Sequence, residues 1–266
     1  MSTAAAYVRE SGSGDTLVCI HSSGSSSGQW RALMESMSDR YRVLAPDLYG
    51  CGKSPAWPGD RELLLDDEIA LLASALHSAE QIHLVGHSYG GLIALRFASR
   101  NPGRVASLVV YEPTCFFVLA DKPGFEAASR EIRDVREETS RLVEAGDLEG
   151  SARRFLDYWV GPDAWSKTPE AGRATIAKVM QKVAFEWPNA FENAFPSDEL
   201  RALTMPTLLL TGSGSTLAAR SVIRVLREYL PHAASVEIPD LGHMGPVTHP
   251  QPVNRAIAAF LDGIRR

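Results

Sequence analysis

Ser88 and His243 are of the residue types that together carry out nucleophilic catalysis. A serine hydroxyl attacks a carbonyl carbon efficiently only when a neighbouring base accepts its proton. Histidine suits that task near neutral pH because its unperturbed pKa is about 6.5. The chain has seven histidines, so residue type alone does not identify which of them is the base.

The residues around Ser88 indicate a nucleophile held on a sharp turn. Residues 86–90 read G-x-S-x-G, directly after an apolar strand predicted at 82–85 and before an apolar helix predicted at 92–100. Glycines on either side keep side chains out of a tight and strained turn. A helix start offers free N–H groups and a positive dipole end, which stabilise charge on a carbonyl oxygen. The Tyr89 N–H is therefore the expected first oxyanion donor.

Predicted strands alternate with helical patterns on both sides of this turn, which is typical of an α/β fold with a mostly parallel sheet flanked by helices, and the first four strands are apolar on both faces. The strands are predicted at 17–20, 42–45, 82–85, 105–111, 207–210 and 235–238, and the helices at 29–37, 63–76, 92–100, 221–230 and 252–264. The alternation stops after Glu112. We expect a core formed by residues 1–113 and 204–266, and a helical cap inserted at 114–203.

With the strand, turn and helix in this order, the chain resembles the α/β-hydrolase superfamily over nearly its whole length. The segment from His21 to Trp30 resembles the oxyanion loop of that family, with Ser22 in place of the usual glycine. By position, the Ser23 N–H should be the second oxyanion donor. Residues 46–54 resemble the D-x-x-G-x-G-x-S loop of the same superfamily, which is structural there.

The resemblance also identifies the base. His243 lies in the loop 239–246, after the last predicted strand and before the final helix, where this family carries its catalytic histidine. His249 precedes that helix and is better explained as a cap or packing residue. His87 lies inside the turn, with its side chain expected to point away from the site of attack. His77, His83 and His232 have no partner that the sequence identifies.

The acid that orients the histidine is where the sequence departs from the family pattern. Members usually carry an aspartate shortly after the strand predicted here at 207–210, but residues 211–217 include no carboxylate. Glu112 ends the strand that follows the nucleophile's helix, and some members carry the acid there. Asp240, three residues before His243, is the alternative. A purely structural role for Glu112, capping the start of the insertion, also stays open.

Composition excludes several other classes of protein. The formal net charge is −5, and acids are interspersed with the basic residues, so a nucleic-acid partner is not expected. Residues 1–10 do not resemble a signal peptide, and no apolar stretch approaches the roughly 20 residues of a membrane span. A cytoplasmic location is therefore expected. The expected partners are a small-molecule substrate and, if the chain associates, a second copy in a homodimer.

Cys19, Cys51 and Cys115 show no CxxC spacing, and we expect three reduced thiols. Neither a metal nor a cofactor is expected.

Together these residues predict hydrolysis of a carboxylic ester through an acyl-enzyme, with Ser88, His243 and Glu112 as triad. Hydrolysis of a lactone, a thioester or a carbon–carbon bond would use the same groups, and a lyase, a cyclase or a ligand-binding pseudo-enzyme stays open. The cap is rich in aromatic residues that could line an apolar pocket. They are Phe116, Phe117, Phe155, Tyr158, Trp159, Trp165, Phe185, Trp187, Phe191 and Phe195.

Overall fold

The computed structural model describes residues 5–76, 81–192 and 195–265. In these ranges a single seven-stranded sheet has the order β1-β3-β2-β4-β5-β6-β7. β1 is antiparallel to β3 and every other pair is parallel. The strands are β1 Val8–Ser11, β2 Asp15–Ile20, β3 Tyr41–Pro46, β4 Ile82–His87, β5 Val105–Tyr111, β6 Thr207–Gly212 and β7 Ala234–Ile238.

Helices cover both faces of the sheet. They are α1 Arg31–Met37, α2 Leu65–Ser74, α3 Tyr89–Arg100, α4 Glu126–Glu144, α5 Leu148–Val160, α6 Ala164–Lys167, α7 Glu170–Phe191, α8 Ser197–Arg201, α9 Leu217–Tyr229, α10 Gly245–Thr248 and α11 Pro250–Ile264. α1 and α11 pack on one face, and α2, α3 and α9 pack on the other. The predicted α/β-hydrolase fold class is confirmed.

The central strands are apolar on both sides because the sheet separates two hydrophobic cores. All six residues of β4 are buried, and so are all six of β6. Continuous burial is what a parallel sheet between two helical layers requires. The edge strand β1 is mostly half-buried and was not predicted, because its four residues form no apolar run.

Helices α4 to α8 lie between β5 and β6, in the segment where a helical insertion is expected. α4, α5 and α7 contact one another, and α7 also contacts α3 of the core. This segment therefore lies over the edge of the sheet where β4 and β5 end.

Candidate active site

The turn after β4 holds Ser88 in a strained backbone conformation. Its φ is 56° and its ψ is −120°, in a region that non-glycine residues rarely occupy. A Cβ at Gly86 would lie 2.4 Å from the carbonyl oxygen of Gly90, and one at Gly90 would lie 2.4 Å from that of His21. The two glycines are therefore required by close backbone approach. The turn leaves Ser88 at the N-terminus of α3, with a side chain that lines a cavity.

His243 lies within hydrogen-bond distance of Ser88. The Ser88 Oγ to His243 Nε2 distance is 3.0 Å, and both residues are 3% exposed. Two bonds fix the loop that carries the histidine. The Tyr111 hydroxyl donates to the Gly242 carbonyl at 2.8 Å, and His87 Nε2 lies 2.8 Å from the His243 carbonyl oxygen.

Glu112 lies on the other side of the imidazole. Its Oε2 is 2.7 Å from His243 Nδ1 and also accepts a hydrogen bond from the Ser215 hydroxyl at 2.6 Å. Its Oε1 accepts from the Thr211 hydroxyl and the Gly212 N–H, both at 2.8 Å. Both carboxylate oxygens are thus saturated with donors. Such a group favours its charged form and fixes the Nδ1–H tautomer of the histidine.

The environment of Glu112 lowers its pKa although the side chain is buried. Burial alone raises the pKa of this carboxyl, but the hydrogen bond and charge of His243, with the donors Ser215 and Gly212, more than offset it. The Glu112 carboxylate is therefore ionised at neutral pH. An ionised carboxylate beside Nδ1 stabilises the imidazolium that forms when Nε2 accepts a proton.

The other candidate residues lie elsewhere. Asp240 is exposed, and its N–H donates to the Ser213 hydroxyl at 2.9 Å. His249 is exposed and contacts Thr248, and His83 bonds the Ser107 hydroxyl. His232 is exposed, and His77 lies outside the described residues.

Ser23, Tyr89 and Ser88 line one small cavity of about 20 Å³. The backbone hydrogen bonds of the described loops include none donated by the Ser23 or Tyr89 amide. In the part of the chain that the structure describes, neither amide therefore has a backbone acceptor. Ser22 needs no left-handed backbone, because the positive φ of this loop falls on Gly24.

A second cavity of about 110 Å³ adjoins the first and shares Ser88 and Ser23 with it. Its walls are mostly apolar and come from α5 and α7. Trp159 covers the histidine, with its ring centroid 4.0 Å from that of His243. The apolar lining is completed by Phe155, Leu156, Val160, Ile176, Val179, Met180, Val183 and Met244.

A larger groove of about 1070 Å³ lies on the outer side of α4 and α7. Its lining includes Phe185 and Arg136 but neither Ser88 nor His243. Size therefore does not locate the site: Ser88 lines both small cavities and His243 lines one of them.

Several polar residues of the site were missed by sequence reasoning. The Gln29 side chain accepts from the N–H and hydroxyl of Ser22 and lies 3.2 Å from His87 Nδ1, which links the loop before α1 to the loop of His243. Lys182 and Glu186 lie buried on α7 beside Ser23. A charged pair spaced by four residues within an aromatic-rich helix was the available signal.

The three cysteines are buried free thiols. Burial raises the pKa of Cys51 to about 12 and raises those of Cys19 and Cys115 as well, so none forms a ready thiolate. Within the described ranges, no group of three or more His, Cys, Asp or Glu side chains could hold a metal ion, and no helix could cross a membrane.

Comparison with known proteins gives the family. A pimeloyl-[acyl-carrier protein] methyl ester esterase of Aeromonas hydrophila is 28% identical over 277 residues, 96% of this chain and 98% of the relative. An (E)-2-((N-methylformamido)methylene)succinate hydrolase of Acinetobacter baylyi is 23% identical over 263 residues, 97% of this chain and 94% of the relative.

Among solved structures, a membrane phospholipase A described as a bacterial virulence factor has a TM-score of 0.76 at 25% identity, over 99% of this chain and 87% of that one. The hydrolase MGS-M2 from a Medee basin deep-sea metagenome has a TM-score of 0.81 at 21% identity, over 97% of this chain and 94% of that one. The family model of the alpha/beta hydrolase fold matches residues 15–250. The chain therefore belongs to the α/β-hydrolase fold family.

Proposed function

We propose that this protein is a serine hydrolase that cleaves a carboxylic ester of a small, largely apolar substrate through an acyl-enzyme. The observation that carries the proposal is the position of His243, 3.0 Å from Ser88 Oγ and 2.7 Å from Glu112 Oε2. A hydroxyl, an imidazole and a buried carboxylate in that order form the arrangement that activates serine nucleophiles.

In the acylation half, Ser88 Oγ attacks the ester carbonyl carbon while His243 Nε2 accepts the hydroxyl proton. The Ser23 and Tyr89 amides hold the negative oxygen of the tetrahedral intermediate. The Glu112 carboxylate stabilises the imidazolium across Nδ1. Collapse of the intermediate breaks the bond to the alcohol oxygen, and His243 delivers its proton to that oxygen.

In the deacylation half, the same groups act on water. His243 takes a proton from a water molecule as the water oxygen attacks the acyl carbon, and the two amides again hold the oxyanion. The bond to Ser88 Oγ then breaks, and the proton passes from His243 to that oxygen. A carboxylic acid leaves, and the free enzyme is restored.

Cavity size supports a small substrate. An apolar protein cavity of about 150 Å³ accommodates benzene, and about 10–15 Å³ suffices for one water molecule. The cavity of about 110 Å³ is smaller than that benchmark and therefore suits a short aliphatic group, and the one of about 20 Å³ suits only a few atoms. The relatives named methyl ester esterases support a small alcohol group on one side of the ester.

The helical segment 114–203 acts in this proposal as a cap over the core formed by residues 1–113 and 204–266. Trp159 on α5 and Trp187 on α7 line the cavities beside Ser88, which supports that role. Cytoplasmic location and homodimer formation stay predictions from the sequence.

The proposal is tested with p-nitrophenyl acetate, butyrate and octanoate as substrates. We expect turnover of the two short esters, a lower kcat/KM for octanoate, and no turnover by Ser88→Ala. Ser213→Ala, which alters a half-buried loop serine that lines neither cavity, is the matched control and should keep the wild-type rate. Absence of turnover by the wild type, or undiminished turnover by Ser88→Ala, would refute the proposal.

A further inference from the structure

Helix α7 carries three polar residues on the face that it turns to the core. Lys182, Glu186 and Asn189 are spaced at i, i+4 and i+7, which places them on one side of a helix. They are 8%, 3% and 0% exposed. Burial of charge is costly unless each group is paired. We call these three residues the α7 polar stripe and infer that they have a role beyond packing.

Glu186 contacts the loop after β2 directly. The Ser23 hydroxyl donates to Glu186 Oε2, and Lys182 Nζ pairs with the Oε1 of the same carboxylate. Lys182 is held in turn by Glu68 of α2 at 2.8 Å, and its ammonium lies 4.7 Å from the ring centroid of Tyr89. The carboxylate is thus fixed by a lysine that the core itself positions.

The third member of the stripe contacts the residue after the nucleophile. Asn189 Nδ2 donates to the Tyr89 hydroxyl at 3.0 Å and to the Leu63 carbonyl at 2.9 Å. One face of one helix therefore bonds the side chains of both residues whose amides serve as oxyanion donors in the proposed mechanism. That coincidence is the observation to be explained.

We propose that Glu186 is a positioning residue, which holds Ser23 so that its amide points at the oxyanion. The inference rests on the proposed function. Ser23 lies in a loop with no regular structure and makes no backbone bond through its amide, so its side-chain bond to Glu186 restrains it. Lys182 completes the arrangement, because an unpaired carboxylate beside a developing oxyanion would oppose catalysis.

The test is a double-mutant cycle on Glu186→Gln and Ser23→Ala, with kcat and KM measured separately on p-nitrophenyl acetate. The alanine keeps the backbone N–H and loses only the hydroxyl. Complete removal of an oxyanion donor costs about 10²–10³ in kcat, so we expect each variant to lose about tenfold as the amide becomes misaligned. KM should change less than twofold, and the double variant should lose no more than the worse single variant.

Lys178→Met, an exposed lysine one turn before Lys182 on the same helix, is the control and should keep the wild-type kcat. A folded Glu186→Gln that loses less than fivefold in kcat, a loss carried by KM alone, or losses that multiply in the double variant would overturn the inference. If Glu186→Gln does not fold, as judged by circular dichroism, the same fivefold threshold applies to Ser23→Ala. Absence of turnover by the wild type would refute the proposed function itself. Failure of the inference about Glu186 alone would leave wild-type turnover intact, so the two outcomes are distinguishable.

Discussion

Glu112 approaches the imidazole from the end of β5, the strand between those that lead to Ser88 and to the loop of Ser215. Its φ of 44° is a left-handed conformation that costs energy in a residue with a side chain. In this conformation the Glu112 carboxylate accepts four hydrogen bonds, one of them from His243 Nδ1. A strained residue with every acceptor site filled is better explained by positioning for the imidazole than by a capping role.

Loss of the carboxylate charge should abolish most of the activity. For Glu112→Gln we expect kcat to fall by about 10²–10⁴, since an amide cannot stabilise the imidazolium and can impose the wrong tautomer. Asp240→Asn makes the equivalent change on the exposed alternative and should leave kcat within about twofold. Steady-state kinetics of both variants decide between them. A large loss for Asp240→Asn alone would assign the acid to residue 240.

Ser215 occupies the loop after β6, and its hydroxyl donates to the same Oε2 that contacts His243. An aspartate there would place its carboxylate near Nδ1 of the imidazole. We therefore expect the double variant Glu112→Gln/Ser215→Asp to have a kcat about tenfold or more above that of Glu112→Gln. In the wild-type background Ser215→Asp should be harmful, because two buried carboxylates repel each other. A double variant no faster than Glu112→Gln would show that this loop cannot supply the acid.

At the residue scale, the sequence was informative where chemistry needs a particular residue type. Ser88 stands in a turn whose glycines are required by close backbone contacts, and the absence of a carboxylate at 211–217 points to Glu112 as the acid. The contacts of Gln29 and Glu186 could not be predicted. Their roles depend on partners 58 and 163 residues away in the chain, which only tertiary packing brings together.

At the element scale, α7 contributes both an apolar wall and a buried ion cluster. Removal of one charge from such a cluster leaves the others uncompensated, which typically costs about 3–5 kcal/mol. We expect Lys182→Met to lower the free energy of unfolding by that amount, because Glu68 and Glu186 would face each other without the ammonium. Lys178→Met should change it by less than about 0.5 kcal/mol. Urea unfolding of both variants measures the difference, and equal stabilities would contradict the ion cluster.

Element types were easier to predict than element limits. The buried strands are recognisable from continuous apolar runs, whereas α9 begins at Leu217, four residues before its predicted start, because Thr216 caps it. The helix after Ser88 likewise begins at Tyr89. Gly90 and Gly91 have a low helix propensity, but the tertiary packing of the turn that places Ser88 at the helix start overrides that preference.

At the scale of the whole molecule, buried histidines make stability depend on pH. Burial lowers the pKa of His21 to about 4 and lowers that of His87 well below its usual range. Unfolded histidine binds a proton below about pH 6.5, while these two stay neutral in the folded state, so stability falls as the pH drops from there. Glu186, whose pKa burial raises, acts in the opposite direction, whereas His83 and Glu112, whose pKa values are lowered, act in the same direction as the two histidines.

We therefore expect the free energy of unfolding to decrease by about 2 kcal/mol or more between pH 7 and pH 5. Urea titrations at the two pH values measure it. His87→Gln, whose amide binds no proton in either state, should show a smaller decrease. A free energy that is unchanged or larger at pH 5 would contradict the neutral burial of these histidines.

The whole chain contributes to a site that is almost closed to solvent. Ser88 follows β4, Glu112 follows β5 and His243 follows β7, and α5 and α7 pack beside them. Residues separated by as many as 155 positions thus meet at one edge of the sheet. This convergence, and not any single motif, is what supports the proposed role of Ser88 over a chance G-x-S-x-G.

The most direct measurement is the covalent state of Ser88 during turnover. The protein is mixed with excess p-nitrophenyl acetate, the burst of p-nitrophenol is recorded, and the quenched protein is mapped by mass spectrometry. We expect a burst that approaches one equivalent when deacylation is the slower step, and an acetyl group on the peptide that contains Ser88, in amounts that Glu112→Gln reduces and Ser88→Ala abolishes. An acetyl group on any other residue, or turnover that never acetylates Ser88, would contradict the nucleophile on which the whole mechanism depends.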